Sequence, residues 1–343
     1  MKDLKYLLAY LVPVSCMSAL YFKGPWAWTT VILAFGIIPL LEFLLPGSPK
    51  NASSEQAEKL ERNPFFDYLL YTNALLLYAI VGWYLYEVCF TAMEQMEVLG
   101  ITLATGIVVG TCGINVAHEL GHRNTRFEQG LSKLMLLPAL YQHFFVEHNW
   151  GHHNNVGTVD DPASSRKGET VYAFLIRSLC GGWWHAWDLE KQRLKNQGAK
   201  ALSWSNQMWR FTVYQLGYLL IIFLFLSWTG LLAAVSIAVT GMLLLETVNY
   251  LEHYGLRRKK MSNGYYEPVS PVHSWNSDHE IGRILLYELT RHSDHHYKST
   301  RKYQVLRHID ESPQLPFGYP AAMLVSLLPP LWFAIMNKRT SPL

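Results

Sequence analysis

Eight of the 14 histidines in this chain fall in three short segments. They are His118-Glu119-Leu120-Gly121-His122, Glu147-His148-Asn149-Trp150-Gly151-His152-His153 and Arg291-His292-Ser293-Asp294-His295-His296. A lone histidine is usually a surface or satisfied core residue, but grouping on this scale calls for metal. Imidazole suits zinc, copper, iron and nickel alike, so the clusters do not choose among them. A structural zinc takes four ligands and a catalytic one three, so eight histidines suggest two ions sharing one site. On helices, His118 and His122 lie one turn apart, where they chelate one ion. His148 and His152 share a face with His153 beside it, and His292, His295 and His296 fall on one face. A ninth candidate is His253, in Asn249-Tyr250-Leu251-Glu252-His253-Tyr254-Gly255-Leu256. Neutral imidazoles leave metal charge uncompensated, so a carboxylate is expected among Glu119, Glu147, Glu252, Glu267 and Asp294.

The elements that must hold these residues are those of a membrane protein. Only 16% of the 343 residues are charged and 50% are hydrophobic, against roughly 25% charged in soluble domains. The net charge of +3 gives no reason to expect nucleic acid as a partner. Cys16, Cys89, Cys112 and Cys180 are scattered without a C-x-x-C pair, which argues against disulfides, a zinc knuckle or a built-in iron–sulfur centre. No G-x-G-x-x-G follows a strand pattern, so no nicotinamide or flavin site is visible, and any electrons must come from another protein. Lys2 and Lys5 before an apolar run resemble a signal peptide, but the run continues to Tyr21 through Pro13; an uncleaved first span is expected.

Six spans are expected, at about 4–21, 26–45, 68–90, 99–117, 211–226 and 231–250, in one all-α domain covering 1–343. No lysine or arginine occurs between Asp67 and His122, whereas 123–210 and Arg257-Arg258-Lys259-Lys260 are rich in both. The positive-inside rule then puts the N-terminus, the 47–63 loop, 123–210 and 251–343 in the cytoplasm, with every histidine cluster in a helical cap on that side. Leu131–Phe145 (with Pro138), Val171–Trp187 (with Arg177 and a Gly181-Gly182 break) and Tyr319–Met336 (with Pro329-Pro330) read as helices lying at the interface or packed under the bundle. Trp183, Trp184 and Trp187 suit an aromatic belt, and residues 257–260 an interfacial anchor.

His118-Glu119-Leu120-Gly121-His122 is also literally H-E-x-x-H, in which Glu119 would be the general base of a membrane zinc metalloprotease. That reading leaves the two His-His groups and His253 unused. A metal transporter would instead place its histidines at mid-membrane.

Together, His-Glu-Leu-Gly-His, Glu-His-Asn-Trp-Gly-His-His, Asn-Tyr-Leu-Glu-His-Tyr-Gly-Leu and Arg-His-Ser-Asp-His-His resemble the integral-membrane alkane 1-monooxygenases, relatives of the membrane fatty-acid desaturases. Asp161–Arg166, His273–Ser277 and Arg301–Gln304 add to the likeness, which runs from the first span to about Pro320. The resemblance implies a non-haem centre of two Fe ions. Its ligands would be His118, His122, His148, His152, His153, His253, His292, His295 and His296. It also implies a carboxylate at the irons, for which Glu267 is the first choice and Glu252 the reserve. His273, His279 and Asp294 would orient ligands or order loops; His143, His185 and His308 would be structural. Asp278 stands where the family commonly has an amide. The implied activity is terminal hydroxylation of n-alkanes to primary alcohols with O2, at the inner membrane. Two electrons would come from rubredoxin, reduced by its reductase, and the alkane would enter from the bilayer. Fatty-acyl desaturation and xylene-type methyl hydroxylation are the alternatives of the same class.

Overall fold

The computed structural model describes residues 2–340; Met1, the last three positions of the expected 1–343 domain and the Lys2 side chain lie outside the described residues. Among the described residues regular structure is helical, with two isolated bridges, Lys260 with Tyr266 and Asn276 with Gln314. Five helices are long and apolar enough to cross a bilayer: Asp3–Phe22, Gly24–Leu44, Pro64–Phe90, Gln95–Gly121 and Gln207–His253. The last runs 47 residues, which at 1.5 Å per residue would be about 70 Å, over twice the hydrocarbon thickness. It is broken at Ser227 (φ 57°, ψ −161°), close to the conformation of Lys23 (φ 55°, ψ −153°), which separates the first two spans. The spans expected at 211–226 and 231–250 are therefore its two arms.

The chain groups into two compact units. The first comprises residues up to 37 with 64–146 and 186–245. Its central helix is Gln95–Gly121: 67% of that apolar window is buried, against 22% for Gly24–Leu44. Without a hydrophobic difference between helix and lipid, packing relies on small residues and polar pairs. A Cβ on Gly100 would come within 2.9 Å of the Ala27 Cβ, and one on Gly106 within 2.4 Å of Thr240. The Ser15 hydroxyl donates to Thr30 Oγ1 at 3.0 Å, and Lys23 Nζ meets Glu87 Oε2 at 2.6 Å. Large apolar side chains such as Leu75 and Phe225 face outward, as lipid requires.

The second unit holds 38–63, 147–185 and the chain from 246 onward. Its core is aromatic: Tyr250 packs on Phe174 and Trp332, and Tyr254 on Trp332, with centroids 5.4–5.6 Å apart. The Tyr250 hydroxyl donates to Glu169 O (2.6 Å) and the Tyr254 hydroxyl to Asn337 Oδ1 (2.8 Å). Tyr250 and Tyr254 are i, i+4, so anchoring them fixes the helix rotation and turns Glu252 and His253 to another face. Gly255 ends the helix with φ +69°, and a Cβ there would meet Thr340 at 2.7 Å.

Val171–Asn196 is one uninterrupted helix, so the break expected at Gly181-Gly182 is absent. These glycines serve close approach instead. A Cβ on Gly181 would lie 2.9 Å from Pro162, and one on Gly182 3.7 Å from the Glu147 side chain. The helix expected over Leu131–Phe145 stops at Met135, and turns follow, whereas Pro329 does divide Tyr319–Ser326 from Pro329–Met336.

Replacing Gly106 by Val should cost roughly 1–3 kcal/mol through overpacking against Thr240. Gly82→Ala, where a Cβ meets nothing within 4 Å, should be neutral or slightly stabilising. Thermal melting of the two variants in detergent compares them directly.

Candidate metal centre

The second unit brings seven of the nine candidate histidines together. His152, His253, His292 and His296 form a fully buried quartet whose ligand atoms lie within 4.8 Å of one another. The Nε2 separations are 3.2 Å for His152–His296, 2.9 Å for His296–His292 and 3.3 Å for His292–His253. A second group joins His153 Nε2 to His148 Nε2 at 3.0 Å and to His295 Nε2 at 3.1 Å. Two imidazoles bound at 2.0–2.1 Å to one ion, 90–110° apart, stand about 2.8–3.4 Å from each other. The observed spacing is that of a coordination polyhedron's edge, and the donor set fits a divalent metal. His118 and His122 belong to the first unit, at the end of Gln95–Gly121, with rings 5.1 Å apart and perpendicular.

Local winding decides which histidine joins which group. Glu147–His152 is a π-helical segment, so residues five apart align and His148 meets His153. His148 and His152 do lie side by side, with rings 5.2 Å apart, yet His152 Nε2 meets His296 and joins the other group. In the helix His292–Tyr297 the i, i+4 pair His292 and His296 enters the quartet, while His295 turns to His153. Each three-histidine segment thus serves both groups.

Surrounding groups orient the rings. Asp161 Oδ2 lies 2.9 Å from His152 Nδ1, which leaves the Nε2 lone pair directed into the quartet. Burial acts to raise the Asp161 carboxyl, but His152 and the Ser164 hydroxyl outweigh it and hold the group at about 2. Burial disfavours the charged form of His152, and Asp161 reverses that and raises it. Burial, with its imidazole neighbours, pushes His296 well below the ordinary value, so its ring is neutral and free to ligate.

Of the carboxylates, Glu252 reaches the quartet. It is fully buried, with Oε2 3.2 Å from His292 Nε2 and Oε1 accepting from the Tyr319 hydroxyl at 2.8 Å. Glu267 is one-third exposed and pairs with His273 Nε2 at 3.1 Å. Asp294 points at Arg301 and Arg307, which clamp its helix. Asp278 pairs with His308 Nδ1 at 2.6 Å, and His279 immediately precedes the helix Glu280–Leu285. His185 Nδ1 lies 3.2 Å from Glu147 Oε1, close enough to Gly151 that only glycine fits there. Burial raises the Glu147 carboxyl, and His185 partly offsets this. His143 is buried beside Tyr141, and burial lowers it to about 3. Glu119 is bound by Arg123 Nη2 at 2.7 Å, which disfavours its use as a protease's general base.

The fatty acid desaturase family matches residues 96–324. Alkane 1-monooxygenase 2 of Pseudomonas aeruginosa is 40% identical over 97% of this chain and 90% of its own length. An alkane 1-monooxygenase of Pseudomonas putida is 35% identical over 97% and 84%. The chain belongs to the alkane 1-monooxygenase family. It is a membrane monooxygenase whose histidine clusters suit a non-haem metal centre. The hydroxylase component of a Pseudomonas putida xylene/toluene monooxygenase is 27% identical over 98% and 89%.

The family motifs now have physical tasks. In Asn249–Leu256 the tyrosines anchor, Glu252 and His253 face the metal site, and Gly255 stops the helix. In His273–Ser277, Trp275 Nε1 donates to Tyr254 O and Asn276 Oδ1 accepts the Ser293 N–H ahead of the last ligands. Asp161's role and Tyr319 escaped the sequence reading, because neither sits within a histidine segment. Asp161→Asn should weaken metal binding roughly 10–100-fold, and Glu252→Gln should weaken it more than Glu267→Gln. Equilibrium competition with a chromogenic chelator measures all three.

Proposed function

We propose that this protein hydroxylates the terminal methyl of n-alkanes to primary alcohols, with the nine histidines holding two iron ions. The supporting observation is the buried quartet with its Asp161 and Glu252 partners, in a chain 35–40% identical to alkane 1-monooxygenases. Bound there, iron supplies the activation of O2 that replaces C–H by C–OH, two electrons and two protons taking the second oxygen to water.

The residues of this chain prepare that chemistry. His152, held by Asp161, and His292, beside Glu252, present lone pairs at fixed positions. Glu252 is the carboxylate that offsets metal charge, in place of Glu267, and the Tyr319 hydroxyl fixes its far oxygen. An alkane has no acidic proton, so no side chain need act as general base. The protein's task is to aim one methyl group and keep bulk water out, and the burial of the quartet does the second. Rubredoxin, recharged by its reductase, is the proposed electron donor, since the sequence provides no redox group of its own. The proposed setting is the inner membrane with the site on the cytoplasmic side, where a Lys/Arg-rich surface suits an acidic carrier.

Product analysis with octane, an acyl chain and xylene tests this reading. The purified protein with rubredoxin, its reductase and O2 should give 1-octanol. An alkene from the acyl chain, or benzylic alcohol with octane untouched, would move it to the desaturase or xylene-hydroxylase class.

A further inference from the structure

The first unit contains a cavity of about 660 Å³ that shares no residue with the histidine site. One wall is a stripe of the helix Gln207–His253: Arg210, Tyr214, Gly217, Tyr218 and Ile221 recur at helical spacing. Lys133 and Gln142 also line it, and Gln142 Nε2 donates to Lys133 O at 2.9 Å. Arg210 Nε, Gln142 Oε1 and the Tyr218 hydroxyl are buried with no hydrogen-bond partner among the described residues, a condition that a buried polar atom rarely tolerates.

The Lys133 and Arg210 charges also form no ion pair among the described residues. Lys133 Nζ sits 4.2 Å from the Phe145 ring centroid and has no carboxylate partner among the described residues. The nearby acid, Glu190, is already bound by Arg193 (2.8 Å twice) and by Gln207 N (2.9 Å). Burial and then the Arg210 charge push Lys133 below its ordinary value, and the Glu190 charge offsets this only in part. Cations and unfilled hydrogen-bonding groups in an apolar groove match an amphiphile with an anionic head. An alkane would leave every polar group unpaired, and free phosphate would leave the apolar wall bare.

We propose that this groove binds an anionic phospholipid, its phosphate held by Lys133 and Arg210 and an acyl chain lying along the stripe to Ile221. Gln142 Oε1 can accept only, which favours a head bearing hydroxyls, such as glycerol.

Native mass spectrometry of the delipidated, full-length protein tests this with phosphatidylglycerol, phosphatidylcholine of the same acyl chains, inorganic phosphate and decane as separate probes. Wild type should retain phosphatidylglycerol over phosphatidylcholine. The double variant Lys133→Gln/Arg210→Gln should bind it roughly thirtyfold more weakly, at about a factor of five per basic residue. Gly217→Trp fills the groove from a position whose Cβ meets nothing within 4 Å, and should lose the lipid with both charges intact. Melting midpoints near wild type confirm that the variants fold. Equal retention of phosphatidylcholine, binding unchanged in either variant, displacement by inorganic phosphate, or displacement by decane would each overturn the proposal.

Discussion

Seven imidazoles in the second unit turn their nitrogens toward one another at about 3 Å, the four of the quartet in places without water access. A neutral imidazole has one donor and one lone pair, so these contacts cannot all be good hydrogen bonds. His152 commits its Nδ1 to Asp161, which leaves its Nε2 a bare acceptor facing His296. A cation is what turns such a set of lone pairs from repulsive to attractive. A metal bound there would therefore contribute to holding these helices together, as in other sites where binding and folding are coupled.

Much of the rest of the second unit reads as support for that convergence. Tyr250 and Tyr254 set the rotation of the helix bearing Glu252 and His253. Arg301 and Arg307 clamp Asp294 and thereby the helix carrying three ligands. Arg291, just before that helix, donates to Lys50 O and Leu306 O, tying the 46–52 loop to the same framework. A ligand misplaced by an ångström loses most of its bond, so rigidity at this distance from the metal has functional weight.

The histidine segments and apolar runs were legible in the sequence because both are local patterns: i, i+4 spacing and uncharged stretches near 20 residues. What escaped were consequences of winding and packing. The π-helical turn at Glu147–His152 sends His148 and His152 to different groups, and nothing in Glu-His-Asn-Trp-Gly-His-His announces it. Gly181-Gly182 looked like a helix break because glycine has low helix propensity, yet close approach of Pro162 and Glu147 outweighs roughly 1 kcal/mol per glycine. Glu267 was preferred to Glu252 on chain position alone. Burial and the Tyr319 hydrogen bond single out Glu252, and both depend on a segment nearly 70 residues away.

Metal content of the detergent-purified protein, measured for wild type, His292→Ala and His118→Ala, tests the two-ion reading most directly. The proposed two-iron site predicts about two irons per chain, lost or halved in both variants. One zinc per chain, lost in His118→Ala and retained in His292→Ala, would contradict it and restore the metalloprotease reading of His118-Glu119-Leu120-Gly121-His122.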